Sequence, residues 1–177
     1  MAIESFQGVS PSLGRDVFIH PSATVIGDVI LGDAVSVWPG VVIRGDINQI
    51  RIGMGCNIQD NTVLHVTHKS AHNPTGAPLI IGNHVTIGHA CILHGCTIGD
   101  ECLIGMGTII MDKTVLASRV MVGAGSLVPE NRTLESGWLY LGRPAEPVRP
   151  LDAQELANFR YLAERYIEGA KAYRERR

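Results

Sequence analysis

The chain has 177 residues, of which 45% are hydrophobic, 18% charged and only 5% aromatic, with a formal net charge of -2. That length suits one compact domain, and the near-neutral charge provides no basic patch for a phosphate backbone, which argues against nucleic acid as a partner. Met1 to Asp16 shows neither a cationic n-region nor an apolar h-region, and no stretch reaches the roughly 18 apolar residues of a membrane span. The expectation is a soluble, cytoplasmic protein with no membrane partner.

Four cysteines (Cys56, Cys91, Cys96, Cys102) occur without a CxxC pair, so reduced thiols are expected rather than disulfides or a metal cluster. With so few aromatic residues, the apolar content must fill a core by some regular arrangement, and an internal repeat supplies one. Steps of six pass from Ile19 to Val25, Leu31, Val37 and Ile43. After three extra residues they resume at Ile52, Ile58 and Leu64. A longer interruption leads to Ile81, Ile87 and Leu93, one residue is lost, and the series ends with Ile98, Ile104, Ile110, Leu116, Val122 and Val128.

Four residues after these stops the chain is small or β-branched: Ala23, Val29, Val35, Val41, Cys56, Thr62, Val85, Cys91, Thr97, Cys102, Thr108, Thr114, Val120 and Ser126, with Ile47 bulkier. Glycine often follows the stop directly (Gly32, Gly53, Gly82, Gly99), which predicts a tight corner there. The period predicts a solenoid in which Cys56, Cys91 and Cys102 fill small inward positions. It resembles the hexapeptide repeat, and that resemblance implies an all-β, left-handed parallel β-helix, a triangular prism with three hexads per coil.

The solenoid is expected over residues 1–150 and a helix over 151–177. Pro150, Asp152 and Glu155 form a helix start. Leu156, Phe159, Ala163, Tyr166, Ala170 and Tyr173 then recur at helical spacing, which predicts an amphipathic helix packed on the prism.

Stacking the coils puts Arg44, His65 and His94 in one outward column at the end of the second side. Strands about 4.8 Å apart allow the two imidazoles to converge on one ion. The register breaks near 49–51, 67–80 and 97 all fall at the end of that side, which marks it as functional. His89 is the best third ligand. It lies on another face, so it reaches the column of a neighbouring copy, and the geometry predicts interfacial metal sites in a homotrimer. His20, His72 and His84 read as ordinary polar residues, while His68, three residues after His65, is an ambiguous competitor.

Arg44-Gly-Asp46, Asn57-Ile-Gln59-Asp60 followed by Leu64-His65, Gly88-His89 through Leu93-His94-Gly95, and Tyr140-Leu-Gly142 together resemble the γ-class carbonic anhydrases and their close hexapeptide-repeat relatives. The resemblance implies zinc, with iron or cobalt as alternatives, held by His65, His89 and His94 across a trimer interface, and a lyase converting carbon dioxide to bicarbonate. It implies an Arg44–Asp46 ion pair at the subunit contact and Gln59 hydrogen-bonded to the reacting water. Asn57, Asp60 and Tyr140 would line or support the site; Asn57 and Asp60 also suit corners, and Tyr140 the end of the prism.

Ile47 and His68 stand where active members carry proton-relaying acids, and Gly142 stands where the pattern has asparagine. Proton export would therefore be slow or fall to His68. Two alternatives remain at this point: an acyltransferase using one histidine as base with acyl-coenzyme A, and a metal-binding trimer of the family without significant hydratase activity.

Overall fold

The computed structural model describes residues 2–175. Short strands stack in parallel around three sides, so that each aliphatic stop lies over its equivalent one coil earlier. On the first side the pairs run Ile19, Val37, Ile58, Ile87, Ile104, Val122 and finally Tyr140. On the second they run Val25, Ile43, Leu64, Leu93, Ile110 and Val128. The third side stacks Leu31, Ile52, Ile81, Ile98, Leu116 and Leu134. These side chains fill the inside of the prism, none more than 5% exposed. A core this narrow is closed by aliphatic residues of one size, which is why so few aromatics suffice.

The small inward residues have a second task. Thr62 donates its hydroxyl to the Gly88 carbonyl, Thr108 to that of Gly123, Cys56 its thiol to that of Gly82 and Cys102 to that of Ala117. Each donor therefore pairs with a corner carbonyl of the next coil, the Gly123 carbonyl accepting from Ser126 Oγ as well. Burial pushes the thiols up, to about 12 for Cys56 and Cys96 and about 11 for Cys91 and Cys102, so at neutral pH all four remain protonated.

Two expectations about the inward positions need correction, and both lie at register breaks. Ile47 is 43% exposed and Ile50 takes the inward place, paired with Val29, because the three extra residues bulge outward. Thr97 is exposed and Cys96 is buried in its stead, since losing one residue shifts the phase of the strand. The glycines after the aliphatic stops also act differently from the expectation. The residues with left-handed φ mostly come two positions later, as at Gly55, His84 and Glu101. What Gly53 and Gly99 provide is close stacking: a Cβ would lie 2.5 Å from the Gly82 carbonyl oxygen or 2.5 Å from the Ser118 nitrogen.

The first side forms one sheet, whereas the second and third are joined in another because Thr24–Leu31 and Val42–Ile52 run round their shared corner unbroken. At the far end Trp138–Gly142 and Ala145–Pro150 form an antiparallel pair.

Helix α1, Ala153–Glu175, starts at a reciprocal cap: Glu155 N–H donates to Asp152 Oδ1 at 2.8 Å and Asp152 N–H to Glu155 Oε2 at 3.0 Å. It lies over the first side, burying Phe159, Ala163 and Ala170. Tyr166 meets Trp38 edge-on with ring centroids 5.6 Å apart, and Tyr173 lies against Phe18 and Trp38. This cover buries the outward residues Ser36, Asn57 and Thr86 of that side. No helix among the described residues is long and apolar enough to cross a membrane.

Candidate functional site

His65 ends the strand Val63–His65, His94 ends Ile92–His94, and the two are direct register partners. Arg44 follows Ile43, which pairs with Leu64, so the column Arg44, His65, His94 is continuous. The two rings stand with centroids 5.0 Å apart, and His65 Nδ1 lies 3.0 Å from His94 Nε2. The remaining nitrogen of each ring meets a carboxylate. His65 Nε2 lies 3.1 Å from Asp46 Oδ1, and His94 Nδ1 lies 2.5 Å from Asp112 Oδ1.

Asp46 in turn accepts a 2.6 Å hydrogen bond from Arg44 on its other oxygen, so the Arg44–Asp46 pair forms within one chain. Burial alone would push the Asp46 carboxyl up, but the hydrogen bonds from Arg44 and His65 outweigh it and hold the group below the usual carboxylate range. Burial pushes the His65 imidazole below its ordinary value, with the neighbouring Asp46 only partly offsetting it.

With Asp46 ionised, the N–H of His65 belongs on Nε2; an ionised Asp112 likewise draws the N–H of His94 to Nδ1. Neutral rings then point two lone pairs at each other across 3.0 Å, an arrangement that calls for a proton or a cation between them.

His89 is placed at the opposite corner of the second side, ahead of the strand that ends in His94. Its Nδ1 lies 3.0 Å from Asp60 Oδ2, both side chains being substantially exposed. Among the described residues no three His, Cys, Asp or Glu side chains of one chain form a group able to hold a metal.

Gln59 and Asn57 are buried beside one another: Gln59 Nε2 donates to Asn57 Oδ1 at 3.0 Å and Asn57 Nδ2 to Thr86 Oγ1 at 2.9 Å. Tyr140 is not brought to the histidines. It takes the last inward position of the first side, three coils beyond Ile87, with its hydroxyl accepting from Glu135 N–H, because an aromatic ring closes the end of the aliphatic column.

Asp112 and Thr67 were not singled out by the repeat. Column counting puts Met111 over His94, and Asp112 reaches back from the next position. An acidic residue one position beyond the stacked equivalent of a histidine is the only trace in the sequence.

The bacterial transferase hexapeptide pattern of six repeats matches residues 10–45 and 95–130, and the hexapeptide repeat of succinyl-transferase matches 78–111. The Escherichia coli protein YrdA is 50% identical over 97% of this chain and 93% of its own. The mitochondrial gamma carbonic anhydrase 2 of Arabidopsis thaliana is 43% identical over 93% of this chain and 59% of its own length. The chain belongs to the γ-carbonic-anhydrase-like hexapeptide-repeat family. A solved hexapeptide transferase family protein from Anaplasma phagocytophilum has the same architecture, with a TM-score of 0.90, 42% identity, and coverage of 97% of this chain and 98% of that one.

Proposed function

We propose that the protein is a metal-dependent carbonic anhydrase-like lyase that hydrates carbon dioxide reversibly, working as a homotrimer in which His65 and His94 of one copy meet His89 of the next. The observation that carries this reading is the opposed pair of nitrogens, each backed by a carboxylate. Two nitrogens bound to one ion at about 2.0–2.1 Å lie roughly 2.8–3.4 Å apart for angles between about 90° and 109°. The separation of 3.0 Å between His65 and His94 suits that donor set. Carboxylates on the far nitrogens are the usual support of histidine ligands, and His89, held by Asp60, has the same design.

Zinc, iron or cobalt suits three imidazoles. Such an ion supplies Lewis acidity that makes water a nucleophile at neutral pH. The chain's own residues do the rest. Gln59 spends one amide hydrogen on Asn57, which fixes its orientation and leaves its oxygen and second hydrogen to orient a water. Arg44 and Asp46 fix the His65 ring. His68, exposed at the start of the excursion that follows His65, takes the proton outward.

Metal content and assembly mass test the reading. We expect about one ion per chain in a trimer, lost in His89→Ala, and stopped-flow hydration of carbon dioxide above background for metal-replete protein. A metal-free wild type prepared without chelators overturns it. Background turnover with metal bound reduces it to a binding trimer of the family. The transferase naming of similar structures favours acyl transfer as the second reading; coenzyme A binding by a metal-free protein is its signature.

A further inference from the structure

The three breaks in the repeat converge on His94. The extra residues after Asp46 include Asn48, whose Nδ2 donates to the Thr67 carbonyl at 2.9 Å and the Thr75 carbonyl at 3.2 Å, while its oxygen accepts from Gln49 N–H. The excursion 66–78 is pinched at its neck, where Thr67 and Ala77 exchange backbone hydrogen bonds of 3.0 Å in both directions. Its turn back depends on Gly76, at φ +63°, where a Cβ would lie 2.4 Å from the Thr67 carbonyl oxygen and 2.5 Å from Asn48 Nδ2.

Thr67 is thereby held by three backbone-directed hydrogen bonds, and its hydroxyl donates to Asp112 Oδ2 at 2.5 Å. The other Asp112 oxygen accepts from His94 Nδ1. The third break follows His94 itself. Gly95 takes φ +52°, and a Cβ there would lie 2.5 Å from Asp112 Oδ1 and 2.6 Å from the Ala77 Cβ. Only glycine leaves the carboxylate room to reach the ring.

We propose that Thr67 and Asp112 form a positioning relay through which the excursion 66–78 fixes the orientation and tautomer of His94. An ionised carboxylate accepts only, so a hydroxyl on one oxygen and an imidazole N–H on the other hold it in a single pose. That pose keeps the His94 proton on Nδ1 and aims the Nε2 lone pair at His65. Neither Thr67 nor Asp112 touches the reacting atoms. The consequence for a bound ion rests on the metal reading above; the relay itself exists in the metal-free chain.

Thr67→Val removes the hydroxyl at nearly constant shape, Thr67→Ser restores it, and Asp112→Asn weakens the acceptor. In the metal-free proteins, nitrogen-15 NMR of the His94 ring should show Nδ1 fully protonated in wild type and Thr67→Ser, whether or not Nε2 shares a proton with His65, and a mixture of rings with and without the Nδ1 proton in Thr67→Val and Asp112→Asn. Chelator competition should show zinc affinity about 10- to 100-fold weaker in Thr67→Val and Asp112→Asn, recovered in Thr67→Ser.

A wild-type tautomer in both Thr67→Val and Asp112→Asn overturns the relay, whatever the zinc result. Wild-type protein that takes up no zinc while His94 still answers to Thr67 supports the relay and removes the metal reading. Zinc uptake with a ring indifferent to both substitutions does the reverse.

Discussion

The coils on either side of Cys96 follow different rules. Beyond it, from Ile98 to Leu134, each side is a two-residue strand and each corner a left-handed residue such as Glu101, Lys113, Arg119 or Asn131, with no insertion. Before it, one strand runs for 11 residues round a corner, and an excursion separates His65 from Leu79. Both halves bury the same aliphatic columns equally well. The comparison shows that the repeat makes the rod, while the departures from it bring polar side chains to one edge.

Substituting the core should therefore affect both halves alike. Leu64→Ala, beneath His65, and Ile110→Ala, in the regular half, both remove side chains that are 0% exposed. Each should cost about 2–5 kcal/mol by denaturant unfolding. A large difference between them would mean that the irregular half is not packed as the regular half is.

A glycine pair sharpens the contrast. Gly95 and Gly125 both adopt left-handed φ, but nothing lies within 4 Å of a Cβ at Gly125. Gly125→Ala should lose only about 1–2 kcal/mol for the backbone conformation and leave zinc affinity unchanged. Gly95→Ala should lose more and, on the metal reading proposed above, weaken zinc binding about 10- to 100-fold by displacing Asp112. Equal zinc affinity in the two variants would contradict the placement of Asp112.

The smallest effect belongs to the helix cap, away from both halves of the rod. Hydrogen bonds from Arg149 and from Asp152 N–H hold Glu155 at about 2, below its ordinary value of 4.5. A carboxyl so depressed contributes stability that is fully present above 4.5 and lost as the pH falls through about 2. The Tm advantage of wild type over Glu155→Gln, followed by circular dichroism, should be constant near neutrality and vanish toward pH 2. An advantage that grows on acidification would reverse the assignment.

Much of this was legible in the sequence because a strand has a period of two and a coil here has three equal sides. A step of six, restarted at each register break, therefore names the stacked aliphatics from Ile19 to Val128, and stacking names the column of Arg44, His65 and His94. The reading failed at Ile47 and Thr97, where one or three residues of slippage exchange the inside for the outside. It also assigned corner turning to glycines whose task is to let the next coil approach.

The sequence by itself determined the rod, its core and the helix with its Asp152–Glu155 cap, since each depends on contacts at fixed spacing along the chain. Tertiary structure alone decided that Asp112 and Thr67 stand behind His94, that Asp46 turns back onto His65, and that Tyr140 closes the prism. The contacts behind the histidines form only where register breaks fold polar side chains back on the coils they interrupt, whereas Tyr140, in register with Val122, is set by where the aliphatic column ends.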